Sequence, residues 1–145
     1  MALSDVQSAL YSDLQTITTG NGYNYTYKTI YRVDKSIDKI QANHCPAVSM
    51  SLLAASPLDF DEATIKIDPT YGIVFYASID QDTDESGDLE IALGKMYEDL
   101  LKLINLQTSN LMKLDGVQRI EVTEMFPFTK GNLGWGFTTI RIIYS

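Results

Sequence analysis

GDLEIALGKMYEDLLKLI, residues 87–104, is the stretch that settles how this chain must fold. Leu89, Leu93, Met96, Leu100, Leu103 and Ile104 recur at three- and four-residue steps, and Ile91, Ala92, Tyr97 and Leu101 broaden them into a wide apolar stripe. Lys95–Asp99 and Glu98–Lys102 are opposite charges four residues apart on the wet side, a minor support. A helix with so wide a stripe has to lie across a sheet. The segment upstream supplies one strand of it: GIVFYASI, residues 72–79, is apolar on both faces, as a central strand is.

Working outward, a first amphipathic helix is expected from about Ser4 to Ile17, striped by Leu3, Val6, Leu10, Leu14 and Ile17. Ser4 with Gln7 fits a capping box, and Gly20 or Gly22 can close the helix in the left-handed conformation. YNYTYKTIYRV, residues 23–33, alternates Tyr23, Tyr25, Tyr27, Tyr31 and Val33 with polar residues, the pattern of a strand with one aromatic face. A charged loop over 34–43 leads to a strand near Ala47–Leu53; Ser-Pro-Leu-Asp (56–59) breaks the chain, and a short segment covers Thr64–Ile67. After the late helix come strands Gln118–Met125 and Gly136–Tyr144, each following a glycine-containing turn. The order reads α-β-β-β-(β)-α-β-β over a single domain, 1–145. Strands joined mostly by short turns predict an α+β fold: a two-layer sandwich whose largely antiparallel sheet carries both main helices on one face.

Composition narrows the functions. There are 19 acidic against 11 basic residues, a net charge of −8, and the basic residues are dispersed. Nucleic-acid binding draws on clustered Lys and Arg to displace counterions, so sequence-specific recognition of DNA or RNA is not expected. Anionic membrane surfaces are disfavoured for the same reason, and no apolar run is long enough to span a bilayer. The opening MALSDVQSALYSDLQ lacks a basic start and an apolar core, so the expectation is a chain kept in the cytosol. A lone cysteine, Cys45, fits a reducing compartment.

Each candidate for chemistry has a plainer reading. DQDTDESGDLE, residues 80–90, places Asp80, Asp82 and Asp84 like the first ligands of an EF-hand loop, but Glu85 stands where glycine is needed and Ile91 where glutamate is. The plainer reading is a solvated loop whose Asp84, Glu85 and Asp88 complement the positive end of the next helix. His44 and Cys45 are the only histidine and cysteine, and neighbours in an extended segment point to opposite sides, which forbids a couple. Asp59, Asp61 and Glu62 sit beside Pro57 as solvated loop carboxylates. The glycines of GNLGWG (131–136) read as a turn into a strand, not a dinucleotide loop. The expectation is no catalytic, cofactor-binding or metal-ligating residue, and no enzyme.

That leaves surfaces. Five tyrosines between Tyr11 and Tyr31 suit either a protein contact or a face packed under the first helix. Ile37 and Ile40 in the charged loop have no evident core to join, which points to a partner that orders the loop.

Four features together carry a family likeness. They are the opening helix ending in Gly-Asn-Gly-Tyr, the strand and charged loop YKTIYRVDKSIDKIQANHCPAVSM, the long late helix, and the closing GWGFTTIRIIYS. Over nearly its whole length the chain resembles the tail terminator proteins (minor tail protein U type) of long-tailed bacteriophages and related tail-completion and neck proteins. The resemblance implies a virion structural and assembly protein without an active site. Such proteins form a ring, commonly a hexamer, on the last ring of the tail tube, end its polymerisation and offer a joining surface to the neck or head connector. The implied partners are further copies of the chain, the tail tube protein and a neck or head-completion protein, with DNA passing through the ring. The implied location is the host cytoplasm during assembly and then the virion. The alternative from another class is a small cytosolic ligand-binding or hydrolytic domain, with its pocket between the sheet and the late helix.

Overall fold

A computed structural model describes residues 3–33, 35–60, 65–79 and 88–144. The first helix, α1, spans Leu3–Gln15; β1 (Thr29–Tyr31), β2 (Ala47–Phe60) and β3 (Ile65–Ser78) follow. The late helix, α2, runs Leu89–Ile104, with a single turn α3 (Asn110–Lys113) behind it; β4 (Val117–Val122), β5 (Phe126–Lys130) and β6 (Leu133–Tyr144) complete the order. The strands form one sheet ordered β1-β2-β3-β6-β4, and β5 extends the β4 edge along the first half of β6. Every pairing is antiparallel except β1 with β2. This is the expected α+β fold, with the expected central strand: β3 lies between β2 and β6.

One side of the sheet holds the main core. Leu93, Met96 and Leu100 of α2 and Leu10 and Leu14 of α1 are fully buried with Val48, Met50, Ile73, Phe75, Ile140 and Ile142 of the strands. The helix comes close to β6 because Gly134 lies beneath it. A Cβ there would stand 3.3 Å from Leu89 Cβ and from the Phe128 carbonyl oxygen. Asp88 starts α2 by accepting the Ile91 N–H at 3.0 Å.

Two buried carboxylates tie remote segments to the helices. Asp13 of α1 accepts the N–H groups of Asn110 (2.7 Å) and Leu111 (3.0 Å), fixing the start of α3. Asp99 of α2 accepts those of Asn24 (2.9 Å) and Tyr25 (3.2 Å). Burial raises both acids from their ordinary value, while the N–H bonds to them pull the other way without overtaking it.

The second tie explains a departure from the sequence reading. The alternation at 23–27 is real: Tyr23, Tyr25 and Tyr27 are buried, and Asn24 and Thr26 are exposed. The segment is nevertheless no strand: the Asn24 and Tyr25 N–H groups bond to the Asp99 side chain of a helix, and that of Tyr23 to the Thr18 carbonyl. Only Thr29–Tyr31 joins the sheet. Two further elements differ. The break expected at 56–59 does not end a strand, and the described part of the segment read at 64–67, residues 65–67, is continuous with the central strand in β3. Pro57 lies at a register shift and Pro69 lies just past the last β6 partner of β3, Thr70 with Arg141, so neither is asked for a bond between inner strands. The chain also holds β5 and α3, which the expected order omits.

Candidate functional surface

The other side of the sheet is covered in part by the loop after β1. The Tyr76 hydroxyl of β3 donates to the Lys35 carbonyl at 2.6 Å and lies 3.3 Å from the Ser49 hydroxyl. Tyr31 meets the Tyr76 ring edge-on, with centroids 6.3 Å apart. Beneath the loop Ile40, Cys45, Ala47 and Tyr76 form a second, smaller core, with Ile37, Val74, Leu133 and Trp135 partly buried around it. Ile37 and Ile40 thus have a core of their own. The reading that these two have no core to join was wrong because the far face of the sheet could not be counted from the sequence.

Beyond the loop this face stays open. Phe126 and Phe128 of β5 are 50% and 49% exposed. Opposite them on β6 stand Phe137 and Trp135, both half-buried. The Phe128 and Trp135 rings stack at 5.5 Å and 19°. Next to Trp135 and Phe137 an open depression of about 330 Å³ is floored by Val74 and Tyr76 and walled by Lys35, Ser36 and Ile37. Lys130, at the end of β5, reaches Asp38 of the loop at 3.0 Å, an exposed pair of small energetic weight. The geometry offers half-exposed aromatic area, rimmed by Lys35 and by the Lys130–Asp38 pair.

That surface was missed because β5 itself was missed. Phe126-Pro127-Phe128 alternates about a proline, which reads as a break, although an edge strand tolerates proline. The usable signal is the two-residue turn that follows it. Gly131 takes φ +62° at its first central position, pairing Lys130 with Leu133. The sequence places this turn correctly; β6 then begins at Leu133 rather than Gly136.

The remaining candidates sort as follows. Asp80, Asp82, Asp84 and Glu85, with Asp61 and Glu62, lie outside the described residues. Asp88 caps α2, as the plainer reading has it. Asp59 pairs with Lys66 in the β2–β3 ladder, so it belongs to a strand rather than the expected loop. Cys45 is buried, its sulfur 3.8 Å from the Gln41 carbonyl oxygen, and burial pushes the thiol up to about 11. A thiol held protonated at neutral pH is the reverse of an activated nucleophile. Among the described residues no three His, Cys, Asp or Glu side chains gather as metal ligands, and no helix is long and apolar enough to cross a membrane. Tyr23, Tyr25 and Tyr27 belong to the main core. Burial raises Tyr27 well above its ordinary value, and the nearby Asp99 charge adds to it.

The chain matches no family model and no curated protein.

Proposed function

We propose that this domain is an assembly protein that works by docking, and that its setting is the end of a phage tail, as a terminator ring joining the tail tube to the neck. The observation that carries the docking reading is the open face of β5 and β6, where Phe126 and Phe128 stand half-exposed beside Trp135. Large apolar rings held on a rigid sheet and left partly wet suit a partner that covers them. The setting rests on the resemblance carried by residues 20–23, 27–50 and 134–145 with the two main helices. The ligand-binding alternative is less favoured because Leu93, Met96 and Leu100 pack with Ile73 and Phe75 where its pocket would lie. The proposed localisation is the host cytoplasm and then the virion.

Electron microscopy of the purified chain with growing tail-tube polymers tests this. The expected result is rings of roughly six subunits capping the tube ends and halting growth. A stable monomer that leaves the ends growing overturns it.

A further inference from the structure

The edges of the sheet are finished differently. β1, at one end, is only three residues long. At the other end β6 is flanked by β5 along its first half and by β4 along its second. Proline guards β5. Lys130 and Leu133 close its turn as a bonded pair, so alternation turns Pro127 outward, where an added strand would need the N–H that proline lacks. β4 has no such guard. It contains no proline and no lysine, and no strand among the described residues lies along its far side. A register shift at Gln118 marks where its regular pairing with β6 begins.

The phase of that pairing decides which groups face outward. The Thr123 N–H donates to the Thr139 carbonyl at 3.0 Å, so the odd-numbered residues Arg119 and Glu121 also bond toward β6. Alternation then turns the N–H and C=O groups of Ile120 and Val122 away from the sheet. The Ile120 and Val122 side chains pack against the main core and are only partly buried. Arg119 and Glu121 stand on the opposite face, exposed, with their charged groups 2.9 Å apart. Free backbone groups beside half-covered apolar side chains form a template for one more strand.

Charge selects the strand that fits. If a second β4 pairs antiparallel about a two-fold axis, Arg119 or Glu121 on the axis would face its own like charge, which is destabilising. Ile120 on the axis instead sets each Arg119 opposite Glu121 of the other copy, in the pairs where side chains approach most closely. Registers displaced further leave the two charges unmatched. Glu121 also lies beside Arg141 of β6, itself bonded to Asp68 at 3.2 Å, so charges alternate in sign along the joined row. Going beyond the terminator reading, we infer that two copies of this chain pair through β4 in this register, Ile120 meeting Ile120. The contact uses the same patch on both copies and closes as a dimer, whereas a ring is built from head-to-tail contacts on other surfaces. A ladder this short belongs with weak, reversible interfaces.

Sedimentation equilibrium of the parent between about 1 μM and about 1 mM should show a reversible dimer. Amide exchange followed by NMR should slow at Ile120 and Val122 as the dimer fills, since their N–H groups gain partners. Arg119→Glu and Glu121→Arg, each shown to fold by circular dichroism, should dimerise on the order of tenfold more weakly, because each alone sets like charges across the axis. Mixing the two variants should recover most of the loss, and so should both substitutions in one chain. A parent that stays monomeric near 1 mM overturns the inference. So does a dimer whose Ile120 and Val122 amides exchange as fast as in the monomer, or a loss that mixing does not recover. A monomeric parent that still caps tail-tube ends removes this dimer and leaves the terminator reading standing; a β4 dimer that caps nothing does the reverse.

Discussion

The two faces of the sheet are built from alternate residues of the same strands, yet they are finished differently. On the helix side Phe75, Ile73 and Met50 meet α1 and α2, and nothing of them reaches water. On the other side Tyr76, Val74 and Ser49 meet only a loop, and the aromatic rings of β5 and β6 are left half-wet. Period-two alternation fixes which residues share a face, but the covering element decides whether that face becomes core or contact surface. In this molecule the sealed core lies on one side and the half-exposed aromatic area on the other.

The largest test of that division compares two truncations. Leu100→Ala on the sealed side should cost about 2–5 kcal/mol, the transfer term plus the cavity it leaves. Phe128→Ala on the open side should cost under about 1.5 kcal/mol, since its ring is already half-exposed and forfeits mainly the stack on Trp135. Urea titrations of the two variants decide it. Equal losses would mean that the open face is structural and the contrast drawn above is wrong.

The buried carboxylates come next. Asp99→Ala strands the Asn24 and Tyr25 N–H groups and should cost about 1–3 kcal/mol, seen as a lower urea midpoint. The same groups set a pH dependence with an uncommon sign. Asp13 and Asp99 are raised in the folded chain, so it binds protons more tightly than the unfolded chain does. Their charged forms therefore weaken the fold at neutral pH, and that penalty lifts as pH falls through their folded values toward 3.8. Asp13→Asn should flatten this part of the stability profile between pH 7 and 4; a profile unchanged by it would refute the assignment.

What could be read in advance follows the same divide. The helix side was legible because α1 and α2 carry their stripes at helical spacing and β3 is apolar on both faces. Tyr23–Tyr27 was legible in its alternation but not in its bonding, since a strand and an extended segment anchored by Asp99 show the same pattern. On the far side, Ile37 and Ile40 read as orphans because a long-range partner such as Tyr76, 41 residues from Lys35, leaves no local trace. The open surface was hidden for a related reason. Pro127 reads as a break in a linear sequence, and only the edge position of β5 makes it acceptable.

The smallest expected effects lie in the cover of the second core. Tyr76→Phe removes one hydroxyl that donates to the Lys35 carbonyl, a loss of about 1 kcal/mol that should fall on the loop more than on the whole fold. Cys45 beneath the loop reports it. Buried and raised to about 11, its thiol should react slowly with iodoacetamide at pH 8 in the parent and several-fold faster in Tyr76→Phe, as the loop opens more often. The thiol also adds an alkaline signature. Because the unfolded chain gives up this proton near 9 and the folded chain only near 11, stability should fall across that interval, and Cys45→Ala should remove that part of the fall. If Tyr76→Phe instead lowers the global midpoint while leaving Cys45 as slow as before, the loop is welded to the sheet as firmly as the helices are. The open face would then begin at β5 and β6 alone, with Lys35 and Lys39 fixed in place for whatever docks there.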